Sequence, residues 1–307
     1  MMEANFSSLK VKKISCIINP QSANKKWKRT NKFRNYLKKN FPCKIVDDLK
    51  DKSQTIEISR NLCSNNELIV AAGGDGTIAD IIQGIMESGR QKDVVFGVLP
   101  LGSGNAFCKS LRIPNNMIKS LHLIAKGRTK KIDIIDIEGK KATFSSIGAT
   151  AEVTLEKLRH SIPGLIGHLL ASWKMLFTPK KEMKFVLIDG VDDSGERFQK
   201  KALSLKVFDC VIGKTNYFGY NWKAAPEAKI NDGFIDITLF ETSGLRYLLC
   251  FPFIYLGIFQ KTQKHFKAKK VIIRGEKLPV QYNGESLGEK DEIKLRVLPQ
   301  AINIIIP

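Results

Sequence analysis

Five residues, Gly73-Gly74-Asp75-Gly76-Thr77, have the composition of a turn that holds an anion. They follow the apolar run Leu68-Ile69-Val70-Ala71-Ala72, which reads as a buried strand. They precede Ile78, Ile81, Ile82, Ile85 and Met86, which keep the spacing of a helix face. A glycine turn at a strand-to-helix junction points backbone N–H groups and the positive end of the helix dipole at whatever lies beyond it, and phosphate suits that field. Glycine also permits positive φ and close approach of the ligand. Asp75 is out of place in such a turn unless a cation or a proton transfer belongs there too.

Pro100-Leu101-Gly102-Ser103-Gly104-Asn105 forms a second turn of small residues. It offers a hydroxyl at Ser103, an amide at Asn105 and close backbone approach at Gly102 and Gly104. Together the two turns read as the jaws of a phosphate clamp. Asn19, in Asn19-Pro20, reads equally as a ligand-facing amide and as an ordinary turn starter. Asn283-Gly284 is a strong hairpin signal, which leaves Glu285 either a solvated hairpin acid or a reactive one. Asn231-Asp232-Gly233 has the same two readings, since a loop aspartate also binds hard cations together with backbone carbonyls.

The elements that must position these residues are legible as apolar periods. Strand runs at 14–18, 44–46, 68–72 and 94–99 alternate with helical patterns over 54–63 and 78–88. This predicts an α/β domain with a largely parallel sheet and helices on both faces. Ligands of such sheets bind beyond the carboxyl ends of the strands, where three of the turns fall. After a helix over 118–125 the pattern shifts near 127–132. Strand runs follow at 132–138, 142–147, 184–189, 202–212, 234–240, 271–274, 279–282, 293–298 and 302–306, and predict a mostly antiparallel second domain. The expected domains are 1–128, binding nucleotide, and 129–307, β-rich and binding the acceptor, with a return of the last strand to the first domain left open.

Two apolar insertions, Ile162–Phe177 and Leu245–Phe259, interrupt the strands. The second contains Arg246, Pro252 and Gly257 and is shorter than the ~20 residues that span a bilayer, so it reads as buried or interfacial. Across 307 residues, 50 Lys and Arg against 30 Asp and Glu give a net charge of +20, which favours nucleic acid, an anionic membrane surface or nucleotide phosphates. Six scattered cysteines without metal-type spacing read as thiols of a reducing compartment. The polar stretch Met1–Lys13 lacks the core of a signal peptide, and the expected location is cytoplasmic. The basic stretch 25–39, with Trp27, Phe33, Tyr36 and Leu37 at loosely helical spacing, reads as a solvated helix face.

Gly74, Gly76 and Ala79 also fit the relaxed dinucleotide fingerprint G-x-G-x-x-A. That motif wants an acid at the end of the following strand, whereas Asp93 precedes it. A Walker lysine is absent as well. The distinct phosphate-binding reading is stronger.

Taken in order, IINPQS (17–22), GGDGT (73–77), PLGSGNAF (100–107), SSIGATAEV (145–153), AAPEAKINDGFID (224–236) and NGESL (283–287) resemble the diacylglycerol kinase catalytic-domain family of bacterial lipid kinases, sphingosine kinases and ceramide kinases. GGDG alone is shared with NAD kinases. The resemblance implies an N-terminal α/β domain of the NAD kinase and diacylglycerol kinase type and a C-terminal antiparallel β-sandwich, with ATP and Mg²⁺ in the cleft between them. It implies phosphate contacts from Gly73 to Thr77 and from Ser103, and places Asn19 near the nucleotide; Gly102 and Asn105 of the second turn complete the candidate nucleotide-binding residues. Glu285 matches the acid that accepts the proton of the lipid hydroxyl. Asp75 matches a residue that organises Mg²⁺ and phosphates, or serves as the base in some branches. Asp232 matches a structural cation site completed by carbonyls of Lys229 and Phe234. Two departures stand out: Asn283 where the family has aspartate, and Thr150 where it has an acid.

The expected activity is thus ATP- and Mg²⁺-dependent phosphorylation of a diacylglycerol or sphingoid-type hydroxyl. Basic charge would draw the protein peripherally to anionic membrane at about 1 kcal/mol per well-placed Lys or Arg. An NAD kinase-like enzyme is the alternative. A nucleic-acid-binding protein is disfavoured, because only Trp27, Phe33 and Tyr36 interleave with the basic run as stacking platforms. Oligomeric state stays open, a homodimer included.

Overall fold

The computed structural model describes residues 13–22, 31–160, 171–218, 222–258 and 263–307. The polar N-terminal stretch up to Lys12, Trp27 with the start of the basic run, residues 162–170 of the first apolar insertion and Phe259 lie outside them. The chain forms two compact units, Met1–Ile132 with Gln300–Pro307, and Asp133–Pro299.

In the first unit β1 (Ile14–Ile18), α1 (Asn31–Asn40), β2 (Lys44–Val46), α2 (Lys52–Leu62), β3 (Leu68–Gly73), α3 (Asp75–Glu87), β4 (Val95–Pro100), α4 (Ala106–Ser110) and α5 (Met117–Lys126) follow one another. The strands lie in the order β2-β1-β3-β4, all parallel. Strand β13 (Glu285–Ile306) adds its last residues parallel to β4, pairing Asn303 with Val95 and Ile304 with Phe96. β1 and β3 are buried along their whole length, which is why they read as unbroken apolar runs. Cys16, Leu37, Leu68, Val70, Leu99 and Leu121 meet in the core. The basic stretch contributes α1, and Phe33, Leu37 and Phe41 stack on its buried face. Tyr36 reaches Nε2 of His122 at 3.0 Å. Phe33 and Tyr36 therefore pack into the protein and offer no platform to a nucleic-acid base.

The second unit is mainly antiparallel. It contains β5 (Arg128–Ile137, from Asp133 onward), β6 (Lys140–Ala142), β7 (Phe144–Gly148), α6 (Ala149–His160), a 3-10 turn (Trp173–Leu176), β8 (Lys181–Val191), β9 (Arg197–Val207), β10 (Asp209–Gly213), β11 (Ile235–Phe240), α7 (Gly244–Tyr255), β12 (Lys264–Tyr282) and most of β13. β12 is the spine: it pairs with β11 at its start, β7 at its end, and β8 and β13 along its length. The α/β class with a parallel sheet, followed by an antiparallel β-rich domain, is the architecture observed.

Several local expectations need correction. Runs 271–274 and 279–282 belong to one strand, because a register shift between Arg274 and Leu278 absorbs the interruption. The run 202–212 is two strands that part at Phe208, and β9 starts earlier, at Arg197, where its alternating exposed positions are polar. Residues 149–160, expected only as part of a motif, form the helix α6.

The second apolar insertion is neither wholly buried nor wholly interfacial. Helix α7 buries Tyr247 and Ile254 and exposes Leu245, Leu249 and Phe253. Among the described residues, every large apolar side chain that is exposed lies in 173–177 or 245–258, with Leu249 and Phe177 each 71% exposed. No described helix is long and apolar enough to cross a membrane.

Candidate functional site

The two glycine-bearing turns of the first unit interlock. β3 ends at Gly73, Gly74 caps the next helix in an extended conformation, and α3 begins at Asp75, earlier than the expected Ile78. The Gly73 carbonyl accepts from the backbone N–H groups of Leu101 (3.1 Å) and Gly102 (3.0 Å). A Cβ on Gly102 would stand 2.3 Å from the Gly74 Cα, so glycine there is a condition of the two backbones touching. Gly76 differs. A Cβ there meets nothing within 4 Å, so no neighbouring atom of the protein demands its glycine.

Asn19 joins this cluster: its Nδ2 donates to Thr77 Oγ1 at 2.9 Å, and its Oδ1 accepts from the Gln21 N–H at 2.9 Å. Asn105 adopts φ 50°, donates from Nδ2 to the Gly102 carbonyl (3.0 Å) and to Asn115 Oδ1 (2.8 Å), and keeps a buried Oδ1 with no partner among the described residues. Ser103 is exposed at the tip. Asn19, Gly73 to Thr77, Gly102 and Asn105 are thus brought together beyond the ends of β1, β3 and β4.

The carboxylate of Asp75 has a use that the sequence did not disclose. Its Oδ1 accepts from the Phe107 N–H at 2.9 Å and its Oδ2 from the Ala106 N–H at 3.1 Å, at the start of α4. Burial raises the Asp75 carboxyl above the usual range, and the Phe107 and Ala106 amides oppose that rise. A carboxylate has about four lone-pair sites, and two are engaged here. The remaining ones, the N-terminus of α3 and the space beside Gly76 fit a phosphate chain with a divalent cation.

In the second unit Glu285 opens β13, and its Oε2 accepts from the Tyr282 hydroxyl at 3.1 Å. The turn before it has φ 48° at Asn283 and 83° at Gly284, the pair of positive values that a two-residue hairpin of this hand requires. Asn283 is buried, and both ends of its amide are hydrogen-bonded. Its Oδ1 accepts from the Thr143 N–H at 3.0 Å, and its Nδ2 donates to the Lys141 carbonyl at 3.0 Å. Aspartate would keep the first bond and lose the second, so asparagine at 283 has a structural reason.

Asp232 does not present open oxygens. Lys214 Nζ lies 2.7 Å from Asp232 Oδ1 and 2.6 Å from the Phe234 carbonyl, the two groups expected to face a structural cation. Lys229, the third expected contributor, is an exposed residue. Burial works against the charge of Asp232, but the hydrogen bond and charge of Lys214, then those of Lys267, outweigh it and hold the carboxyl below its ordinary value. Asp236, 3.0 Å from Lys267, is pushed up to about 6 by burial, which the lysine only partly offsets.

Three contributors escaped the sequence reading: Lys214, its partner Asp133, and Asp209. The available signal was a charge inside or directly after an apolar strand run, as in Ile132-Asp133-Ile134 and Val211-Ile212-Gly213-Lys214. Asp209 accepts from the Thr150 N–H at 3.1 Å, from the Thr150 hydroxyl and from the Tyr247 hydroxyl at 3.3 Å. It thereby caps α6, and Thr150 donates where a second acid would repel.

Comparison with known proteins accounts for both units. Residues 13–137 match the diacylglycerol kinase catalytic domain, and residues 163–306 match the YegS C-terminal NAD kinase β-sandwich-like domain. The diacylglycerol kinase of Staphylococcus aureus strain MRSA252 is 29% identical over 243 residues, 77% of this chain and 73% of its own. That of strain Newman is 31% identical over 198 residues, 63% of this chain and 59% of its own. A crystal structure of a diacylglycerol kinase from Bacillus anthracis str. Sterne covers 97% of this chain and 98% of its own with TM-score 0.70 at 20% identity. A second structure from that organism reaches TM-score 0.75 at 22% identity over the same shares.

Proposed function

We propose that this chain, which belongs to the diacylglycerol kinase catalytic-domain family, transfers the γ-phosphate of ATP to the hydroxyl of a diacylglycerol or sphingoid-type lipid with the aid of Mg²⁺. The observation that carries the reading is the pair of interlocked turns, with Gly74 against Gly102 and open space beside Gly76 at the N-terminus of a 13-residue helix. Phosphoryl transfer is mostly positioning and charge neutralisation, and these turns supply the positioning.

In this reading residues 1–128 bind the nucleotide and 129–307 the acceptor. The N–H groups around Gly73 to Thr77, the Ser103 hydroxyl and the backbone at Gly102 hold phosphate oxygens, with Asn19 and Asn105 fixing the turns from behind. Asp75, its geometry set by the Ala106 and Phe107 amides, orients the phosphate chain through its remaining lone pairs. Asp75 is the residue that would hold Mg²⁺ beside the phosphates, and the ion would supply positive charge against the charge that develops in the transfer. Glu285 takes the proton of the acceptor hydroxyl, and the Tyr282 hydroxyl steadies its carboxylate. The exposed apolar side chains at 173–177 and 245–258, with the net charge of +20, support peripheral contact with anionic membrane.

A screen with labelled ATP and Mg²⁺ over lipids in mixed micelles, with NAD as a parallel acceptor, tests this. Label is expected on a lipid hydroxyl and not on NAD. Label on NAD and on no lipid would contradict the proposal.

A further inference from the structure

The resemblance carries an expectation of a structural divalent cation at Asp232, and the residues there do not fit one. Lys214 directly follows β10 and its side chain is 1% exposed. Its ammonium stands 2.6 Å from the Phe234 carbonyl oxygen, 2.7 Å from Asp232 Oδ1 and 3.0 Å from Asp133 Oδ2. An ammonium has three donors and no acceptor, and here three oxygens receive them. Two of those oxygens are the ones a bound cation would use.

A hard divalent cation needs six or more oxygens at roughly 2.0 to 2.6 Å, and the ammonium already stands where those oxygens converge. The remaining Asp232 oxygen, Oδ2, is taken by Lys267 at 3.1 Å. Asp133 is itself tied to the loop, because its Oδ2 accepts from the Gly233 N–H at 2.7 Å. Among the described residues no group of three or more His, Cys, Asp or Glu side chains is placed to hold a metal ion.

We infer that Lys214 is a built-in counter-ion: its ammonium takes the place of the divalent cation at the Asp232 loop, so the β-rich unit folds without metal. Any Mg²⁺ requirement then belongs to the nucleotide alone. The inference stands apart from the proposed chemistry, since it concerns the stability of this loop whatever the acceptor is.

Removing the side chain should open a metal site. Lys214→Ala leaves the Asp133 and Asp232 carboxylates and the Phe234 carbonyl around an empty volume, which is a set of hard oxygen ligands. Lys214→Met fills that volume with no charge. The experiment is thermal unfolding of the full chain without nucleotide, in EDTA and in added Mg²⁺ or Ca²⁺, with bound metal counted by mass spectrometry. Wild type is expected to melt at the same temperature in every condition and to retain no stoichiometric divalent ion. Lys214→Ala should melt lower in EDTA and recover with Ca²⁺ or Mg²⁺, whereas Lys214→Met should melt lower and not recover. A wild-type protein that loses stability in EDTA, or keeps one tightly bound divalent ion, would overturn the inference. So would a Lys214→Ala protein as stable in EDTA as wild type. If Lys214→Ala does not fold, the EDTA response and metal content of wild type decide alone.

Discussion

Asp75-Gly76 and Asp232-Gly233 are the same dipeptide, both placed by resemblance beside a cation, and the chain treats them in opposite ways. Asp75 is met by two backbone amides, which hold its geometry and bring no net charge. Asp232 is met by two lysines, which cancel its charge. The carboxyl of Asp75 is consequently raised, chiefly by burial, while the lysines lower that of Asp232 in spite of burial. One loop keeps a demand for positive charge, and the other has satisfied it from within. Asp209 is a third case: its partners are all neutral donors, and burial pushes it up to about 6. Whether an aspartate can recruit a metal depends on what the rest of the chain has already offered it.

The largest effect on stability should come from breaking the closed loop. Lys214→Met leaves buried Asp133 and partly buried Asp232 without their shared ammonium, and denaturant unfolding should show a loss of about 3–5 kcal/mol. A loss below about 1 kcal/mol would remove Lys214 from the comparison. The open loop is sharpened by two glycines. Gly102→Ala drives a Cβ into the Gly74 backbone and should cost about 1–3 kcal/mol by thermal melting, with weakened ATP binding. Gly76→Ala fits sterically and should leave the melt unchanged, yet lower ATP affinity about tenfold, or about 1.4 kcal/mol, by filling the phosphate space. Unchanged ATP affinity in Gly76→Ala would place the phosphates elsewhere.

The smallest expected effects come from neutral partners. Asn283→Asp loses its bond to the Lys141 carbonyl, and urea titration should register about 1 kcal/mol. For Asp209 the sign follows from a folded value of about 6 against an ordinary one near ~3.9. Its contribution favours folding below the unfolded value and is lost as pH rises through the folded one. The stability of wild type relative to Asp209→Asn should therefore fall between about pH 4 and pH 6. A flat difference across that window would mean the carboxylate is better compensated than its partners imply.

Much of the first unit could be read ahead because parallel strands covered on both faces are continuous apolar runs, as at 14–18 and 68–72. The gathering of Asn19, Gly73 to Thr77, Gly102 and Asn105 followed from that, since the turns at the ends of adjacent parallel strands are neighbours. What stayed hidden depended on partners distant in sequence. Asp75 finds its amides at 106 and 107, and Lys214 finds its oxygens at 133, 232 and 234. Helix α6 opens with Ala149-Thr150 under a cap supplied by Asp209, which local propensity does not encode. β12 was divided by its own bulge, because a register shift breaks the alternation by which a strand is recognised.

Under the proposed function, the open carboxylate of Asp75 and the hairpin acid Glu285 serve one phosphoryl transfer. Single-turnover transfer of labelled phosphate from Mg²⁺–ATP to the preferred lipid, by wild type, Asp75→Asn and Glu285→Gln, tests it most directly. Both variants should fold, and each should lose about 10²–10⁴ in rate, with ATP still bound by Glu285→Gln. Transfer at the wild-type rate by both would contradict the account.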